Sequence, residues 1–292
     1  MATPTTPDSS PGRKSSKTVG RERFPHPVLA MLAAEAAEEE VLHTAGLRDW
    51  QCVLGEFVMD DLPPMGPEPF DPWAWPSLQV RDVVPEDVIQ AWSHPFRVDA
   101  QVEMMTGRGQ FRPPQRYPVG QDRPHGRWWT LPVQQIPQAE YVGKPPPYSM
   151  CVQTTSGPWL DAPSVELWGA EDAFFAPWHL LEREVLWRPV VPRFTPRVAE
   201  VTSAQDWAAL VEAWPSHFPS NAGRQQSFLG DWFTGHRIFE PDWAEVAQRY
   251  DVVHVTQVGY LECAYAPIPC LGGVTTMTGW GPDVALWLKD PR

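Results

Sequence analysis

The residues with the clearest potential for chemistry lie in one stretch just before the middle of the sequence. It holds five arginines, Arg108, Arg112, Arg116, Arg123 and Arg127. His125 and Arg127 can donate charge-assisted hydrogen bonds to a phosphate, and Gly126 between them lets the backbone approach a ligand closely. The stretch therefore predicts a site for a phosphate-bearing anion. The alternative interpretation is a solvated arginine-rich loop.

Aromatic residues directly after the glycine extend this predicted site. Trp128, Trp129 and Thr130 are typical of a strand, in which neighbouring side chains point to opposite faces, so one of the two indoles can stack on a planar ring. The alternative is that Trp129 belongs to the core and that Arg127 pairs with a carboxylate. The candidate ligand-binding residues are Arg108, His125, Arg127, Trp129 and Thr130.

A second candidate, His254, lies in an apolar run near the C-terminal end of the sequence. Residues Asp251–Thr256 predict a strand, which we expect to be central in its sheet. A polar side chain on such a strand must find a partner or face a cavity. We expect His254 to share one cleft with His125, Arg127 and Trp129. The alternative is a structural histidine that is hydrogen-bonded to the backbone.

Other elements around this strand must position the predicted site. Pro241–Tyr250 predicts a short amphipathic helix before this strand. After the strand we expect a loop, and Gly279–Leu288 predicts a final apolar strand. Ser203 begins another helix, with Asp206 three residues later in a pattern that resembles a capping box. We expect its apolar face to pack on a sheet that contains Val252–Val255 and Val284–Leu288. That face consists of Trp207, Leu210, Val211 and Trp214.

The remaining pattern is one of short elements separated by irregular chain. Helices are predicted at Pro27–His43 and Pro85–Trp92, and strands at Phe96–Met105, Glu182–Val191 and Arg197–Val201. Loops are predicted at Leu62–Pro76 and Pro219–Phe239, and Pro132–Pro158 is predicted to be rich in loops. Single helices between strands favour an α+β fold with a mixed sheet, few helices and many proline-rich loops. We divide the chain into a disordered tail (1–23), a helical and Pro/Trp-rich region (24–119) and an α+β core domain (120–292).

Composition excludes several classes of protein. The 292 residues include 35 prolines and 16 tryptophans, and the net charge is −13. An acidic chain lacks the basic face of a broad nucleic-acid binder. The cysteine spacing does not predict a zinc site, so we expect no metal. Without an apolar leader or a long apolar run, we expect a cytoplasmic protein, or one assembled into a particle made there, with no membrane span.

Three sequence pieces resemble an uncharacterised group of actinobacterial and actinophage proteins. In order, they are His125–Thr130, Tyr250–Thr256 and Gly279–Leu288. The similarity is best from Glu184 to Leu288 and nearly absent before Gly120. Because the group is uncharacterised, the resemblance implies no function by itself.

The same pieces resemble, more weakly, small ADP-ribosyltransferase-like domains. These are split α+β sheets that hold NAD in a cleft, and they often carry a glycine-aromatic-Ser/Thr strand such as Gly126–Thr130. The resemblance implies an early Arg108 or His125 and a central Trp129 or Thr130. It also implies a late glutamate, Glu262, and we add His254 as a candidate catalytic residue beside it. The sequence departs from the family because Glu262 follows Gly259-Tyr260-Leu261 instead of lying in the usual glutamate motif.

A competing class is a non-catalytic structural or interaction protein of a phage particle or another assembly. The Pro/Ser-rich tail and the Pro/Trp-rich loops are typical of a chain that binds neighbouring proteins. The sequence contains no Gly-x-Ser-x-Gly, P-loop, dinucleotide or His-Glu-x-x-His motif, so the common hydrolase, NTPase, Rossmann and metalloprotease functions have no support. Both classes, NAD-binding enzyme and interaction protein, remain open at this point.

Overall fold

Among the residues that the structure describes, most helices and strands lie in the last third of the chain. The computed structural model describes residues 24–38, 71–105, 119–120, 130, 133–134, 152–156, 186–217, 233, 235–278 and 280–292. Within them, the helices are α1 Pro27–Glu38, α2 Val80–Val83, α3 Glu86–Trp92, α4 Ala204–Ala213, α5 Trp243–Arg249 and α6 Gln257–Cys263, with a 3-10 turn at Pro72–Ala74. The strands are β1 Val102–Met105, β2 Val119–Gly120, β3 Val133–Gln134, β4 Val152–Thr154, β5 Leu186–Pro189, β6 Val198–Val201, β7 Pro215–His217, β8 Ile238–Pro241, β9 Val252–Val255, β10 Ile268–Cys270, β11 Gly273–Thr275 and β12 Val284–Trp287.

A four-stranded mixed sheet forms the centre of the fold. Its strand order is β4-β12-β9-β6, with β12 antiparallel to both of its neighbours and β6 parallel to β9. All four residues of β9 and of β12 are buried, as expected for strands that are covered on both faces. The predicted α+β class with a mixed sheet is confirmed, and so is the central position of the strand that carries His254.

A second four-stranded sheet lies across the main core from the first. Its order is β10-β11-β8-β7, with β11 parallel to β8 and the other pairs antiparallel. Two further pairs, β1-β5 and β2-β3, are antiparallel. The N–H groups of Val102 and Thr155 each donate to the other residue's carbonyl at 3.0 Å, which joins β1 to the end of β4. The first sheet therefore continues through this bridge towards β1.

Helix α4 packs into the core between the two sheets. Its first turn is capped as predicted, because the Ser203 hydroxyl accepts from the Asp206 N–H at 3.2 Å. Trp207, Leu210 and Val211 are buried. The helix contacts β6 of the central sheet, which is the sheet that we predicted, and it also contacts β8 and β10 of the second sheet, which we did not predict.

Three tryptophans form the middle of this core. Trp207, Trp243 and Trp280 are fully buried, and their ring centroids are 5.9 to 6.2 Å apart. The Trp207 indole donates to the Thr275 hydroxyl at 3.1 Å, which satisfies its N–H. Much of the tryptophan in the described residues thus fills the core.

Several predicted elements are confirmed over the described residues. Helix α1 covers the first part of the predicted helix Pro27–His43, and α3 covers most of Pro85–Trp92. Strands β5, β6 and β9 and helix α5 lie where the sequence predicts them. The predicted tail, residues 1–23, lies outside the described residues.

Four predictions of local structure are wrong. The strand predicted at Phe96–Met105 is limited to β1, because the chain makes a turn at residues 98–100 before it. The loop predicted at Pro219–Phe239 contains the start of β8. The loop-rich stretch Pro132–Pro158 does contain two short strands, β3 and β4, but this is compatible with its prediction. The irregular stretch Leu62–Pro76 contains the 3-10 turn, which the Asp71 side chain caps by accepting from the Trp73 N–H at 2.9 Å.

The fourth error concerns the chain between β9 and β12, which we predicted to be a loop. It contains helix α6 and the β10-β11 hairpin. Gly259 lies inside α6 and lowers its helix propensity, so the sequence of this segment does not predict a helix. The helix forms because Thr256 caps it, accepting from the Gly259 N–H at 2.9 Å, and because nearly all its side chains are buried.

The tip of the β10-β11 hairpin is strained. Leu271 and Gly272 connect the paired residues Cys270 and Gly273, and both have positive φ, 49° and 73°. A two-residue turn of this kind favours Asn-Gly, because a leucine in the left-handed region brings its Cβ close to the backbone. The Leu271 side chain is 43% exposed, so no large burial offsets this strain.

We predict that Leu271→Asn stabilises the isolated protein. Asparagine tolerates the left-handed conformation, and the expected gain in unfolding free energy is about 0.5 to 1 kcal/mol. Urea denaturation of both proteins at one pH measures the difference. The matched control is Val191→Asn, which replaces an exposed apolar residue outside the left-handed region and is expected to leave the free energy nearly unchanged. A loss of stability in Leu271→Asn would contradict the prediction.

Among the described residues, no helix has both the length and the apolar character needed to cross a membrane.

Candidate functional site

One face of the central sheet carries a polar row beside an apolar row. In the strand register, Ala285 of β12 lies between Thr154 of β4 and His254 of β9, and His254 lies beside Glu200 of β6. The neighbouring row on this face is apolar and consists of Val152, Trp287, Val252 and Val198. Ala285 is fully buried and separates Thr154 from His254 in the polar row.

His254 lies at the centre of the polar row and bonds to two carboxylates. Its Nδ1 is 2.7 Å from Glu200 Oε2, and its Nε2 is 3.0 Å from Asp283 Oδ1. A carboxylate only accepts, so both ring nitrogens must donate and the ring is an imidazolium. Complete burial lowers the pKa of His254, but the hydrogen bonds and charges of Asp283 and Glu200 outweigh it and raise the pKa from 6.5 to about 9.

Each carboxylate has further partners in the fold. The Thr155 hydroxyl donates to Asp283 at 2.7 Å, and the Ser156 hydroxyl lies 3.4 Å from it. Asp283 itself has a φ of 53°, a left-handed conformation that aspartate tolerates better than most residues. The second oxygen of Glu200 accepts the Phe96 N–H at 2.7 Å. With one imidazolium between two carboxylates, this Glu200–His254–Asp283 cluster carries a net charge of −1.

A second hydrogen-bonded branch begins at the other end of the polar row. The Thr154 hydroxyl donates to Gln101 Oε1 and accepts from the Trp287 indole N–H at 2.9 Å. Gln101 also donates from its amide nitrogen to the carbonyl of Arg97 at 3.0 Å. The polar groups of this branch are therefore bonded to one another within the fold.

The arrangement of the cluster suits a structural charge pair better than phosphate binding. A phosphate gains most from uncompensated cations, whereas the buried cation here is bonded to two anions. A second ion pair, between Arg197 and Asp251, is bidentate at 3.0 Å and joins the start of β6 to the start of β9. In the described part of the chain, no group of three or more histidine, cysteine and carboxylate side chains is arranged to hold a metal ion.

Thr130 is buried and bonded to the segment before β12. Its hydroxyl lies 3.1 Å from the Thr278 carbonyl and accepts from the Thr278 N–H at 3.0 Å, and its own N–H also donates to that carbonyl. The Trp243 indole donates to the carbonyl of Thr130 at 2.9 Å. Its polar groups therefore connect parts of the core.

Glu262 lies on α6 and not on a loop after a strand. Its carboxylate accepts the N–H of Ala204 at 3.1 Å, at the first residue of α4, where a negative charge is favourable near the exposed N–H groups of a helix start. His254 projects from the central sheet on the face of Val252 and Trp287, while α6 packs into the main core with Val253 and Val255. The two candidate catalytic residues, His254 and Glu262, therefore lie on different sides of the central sheet.

The other four predicted site residues, Arg108, His125, Arg127 and Trp129, lie outside the described residues. The cleft predicted to unite them with His254 is therefore untested. The partners of His254 were not predicted, although one signal was present: Glu200 alternates with Val198 in a predicted strand, which places its side chain on one face with period two. Asp283 had no such signal, since it precedes β12 in a turn.

Comparison of the chain with protein-family models, curated proteins and solved structures found no match.

Proposed function

We propose that the protein is a non-catalytic structural or interaction protein that works as part of a larger assembly. The observation that carries this proposal is the closed hydrogen bonding of His254. Its side chain is 0% exposed, and both of its nitrogens are used by carboxylates of the same fold. A general base or acid needs a nitrogen within reach of a substrate. In this arrangement His254 is a structural residue that links neighbouring strands of the central sheet.

The other described candidates support the same proposal. Thr130 uses its hydroxyl within the core, and Glu262 accepts at the start of α4. Buried polar groups that are fully bonded rigidify a fold and define one arrangement of its strands. Such a scaffold suits a protein that presents surfaces to neighbours.

Exposed apolar side chains give this scaffold places for contact. Val191 is 78% exposed and Leu271 is 43% exposed, and Leu271 also keeps a strained backbone that asparagine would relieve. Strain that persists at an exposed position is typical of functional sites. The Pro/Trp-rich loops and the N-terminal tail remain our predicted partner-binding segments, and a phage particle remains one candidate assembly.

The alternative is an ADP-ribosyltransferase-like domain that binds NAD. It depends on Arg108, His125, Arg127 and Trp129, since the described candidates are bonded inside the fold. A titration with NAD and ADP-ribose separates the two functions, because a ligand that binds the folded state raises the melting temperature by mass action.

We expect no rise in melting temperature with either ligand at millimolar concentration, and no heat of binding in calorimetry. The variants Arg127→Ala and, as a matched control outside the predicted site, Arg81→Ala are titrated in parallel. Binding by the wild type and Arg81→Ala that is lost in folded Arg127→Ala would overturn the proposal in favour of an NAD site.

A further inference from the structure

A short exposed segment crosses the polar row of the central sheet. Residues 94–100, which we call the strap, connect α3 to Gln101 and β1. The exposed residues of the strap are His94, Pro95, Arg97, Val98 and Asp99. Phe96 and Ala100 are half-buried. The Phe96 ring centroid lies 5.7 Å from that of His254 and 5.8 Å from that of Trp287. Phe96 therefore covers the cluster from the solvent side.

Among the described residues, few hydrogen bonds attach the strap to the rest of the fold. The Phe96 N–H donates to Glu200 Oε1 at 2.7 Å, and this bond spans 104 residues of sequence. A turn within the strap is closed by the Ala100 N–H, which donates to the Arg97 carbonyl at 3.1 Å. After the strap, Gln101 anchors the chain, because its carbonyl accepts from Val190 at 2.8 Å. Two attachments therefore lie in the middle of the strap. One is the contact of Phe96 with Glu200 and the rings, and the other is the Arg97 carbonyl, which accepts from the Gln101 side-chain amide at 3.0 Å.

Glu200 is shared between the strap and the histidine. One oxygen accepts from Phe96, and the other accepts from His254 Nδ1 at 2.7 Å. The Glu200 side chain is 31% exposed, so water can reach it when it turns outward. Its orientation towards the strap therefore depends on the partner at its other oxygen.

The charged groups around the histidine come from few elements. Glu200 faces it from β6, and Asp283 faces it from the turn before β12. The end of β4 adds only the hydroxyls of Thr155 and Ser156, through Asp283, and the strap adds the Phe96 ring. Arg97 and Asp99 on the strap pair with each other at 3.9 Å and are exposed. In the described part of the chain, the histidine proton therefore balances Glu200 and Asp283 alone.

We propose that the strap and the proton on His254 are coupled through Glu200: the strap stays closed while the imidazolium is present and opens when its proton leaves. Without the proton, the Glu200 carboxylate loses its cationic partner in a poorly hydrated place and turns towards water. Its bond to the Phe96 N–H then breaks. Conversely, opening the strap admits water to the cluster, so that His254 binds its proton less tightly. The coupling holds whether the protein is an interaction protein or an NAD-binding enzyme.

Amide hydrogen exchange of the unmodified full chain tests the coupling. The protection factor of the Phe96 amide, corrected for the intrinsic pH dependence of exchange, is measured from pH 6.5 to 10. In parallel, nitrogen NMR of labelled histidine follows the protonation of His254, whose pKa lies at about 9. We expect Phe96 protection to fall at least about tenfold as His254 deprotonates, since a hydrogen bond to a charged group is lost. The Ala264 amide, bonded to the Tyr260 carbonyl at 2.8 Å at the end of α6, is the internal control and keeps its protection.

Two variants make the test reciprocal. Phe96→Ala opens the strap without touching a charge, and we expect the His254 titration to shift towards 6.5, its ordinary value. Glu200→Gln removes the shared charge, and we expect Phe96 protection to be low at every pH, whereas the matched surface control Glu212→Gln behaves as the wild type. Phe96 protection that stays constant while His254 is seen to deprotonate would overturn the proposal. So would an unchanged His254 titration in folded Phe96→Ala.

Discussion

The variant Gly259→Ala is expected to lose about 3 kcal/mol or more of unfolding free energy, although alanine is the better helix former. A Cβ added at Gly259 would lie 2.1 Å from the carbonyl oxygen of Val201 and 3.2 Å from the Cα of Thr202. Both are backbone atoms at the end of β6, so no side chain can move aside to make room. Helix α6 must shift away from the sheet, and its buried side chains must shift with it.

Whether Gly259→Ala raises or lowers the free energy of unfolding depends on two opposing contributions, helix propensity and steric overlap. Helix propensity alone favours alanine over glycine by about 1 kcal/mol in a helix interior. The overlap with a backbone oxygen costs more than that, because native packing leaves no gap of this size. Urea denaturation measures the free energy of unfolding of Gly259→Ala and of the control Gln248→Ala, which changes an exposed residue of α5. A stabilised Gly259→Ala protein would mean that α6 does not pack against β6 as described.

The variant His254→Leu is expected to lose about 3 to 5 kcal/mol at pH 7, the usual result of removing one partner from a buried ion pair. It leaves Glu200 and Asp283 facing each other across an apolar side chain. Leucine cannot donate to either carboxylate, and the repulsion between them is no longer balanced. The matched control is His94→Leu, which changes an exposed histidine and should have little effect.

The loss of unfolding free energy in His254→Leu should become smaller as the pH rises. Because the pKa of His254 is raised from 6.5 to about 9, its stabilisation is fully present below pH 6.5 and is lost as the pH rises through 9. The full linkage amounts to about 3 kcal/mol. The difference between the wild type and His254→Leu should therefore shrink between these two pH values. Denaturant titrations at several pH values measure it, and a difference that is constant across the range would contradict the charged state of His254.

Local signals in the sequence were sufficient for the elements with strong periodicity. Helix α4 has a cap at Ser203 and an apolar stripe, and both could be predicted without any knowledge of the fold. Strand β9 is a continuous apolar run, and its central place follows from the absence of an exposed face. These predictions succeed because propensity and burial point in the same direction.

The elements and site contacts that the sequence did not predict depend on contacts between segments that are distant in the chain. Strand β4 is only three residues long and lies within proline-rich sequence, and its pairing with β12 makes it a strand. The structural role of His254 required both Glu200 and Asp283, from two other elements, and no spacing in the sequence connects the three. The alternative of a hydrogen-bonded structural histidine was identified, but its partners are carboxylates and not the backbone.

The order of strands in the central sheet has a consequence for how the chain reaches this fold during synthesis. Strand β12 lies between β4 and β9 but is made after both, so neither neighbour can complete its pairing until β12 appears. The link between Thr154 and Ala285 closes a very long loop, which slows folding. Until then, the apolar edge of β9 is open and can pair with other chains. We expect nascent or truncated chains that lack β12 to need a chaperone, and to aggregate when none is present.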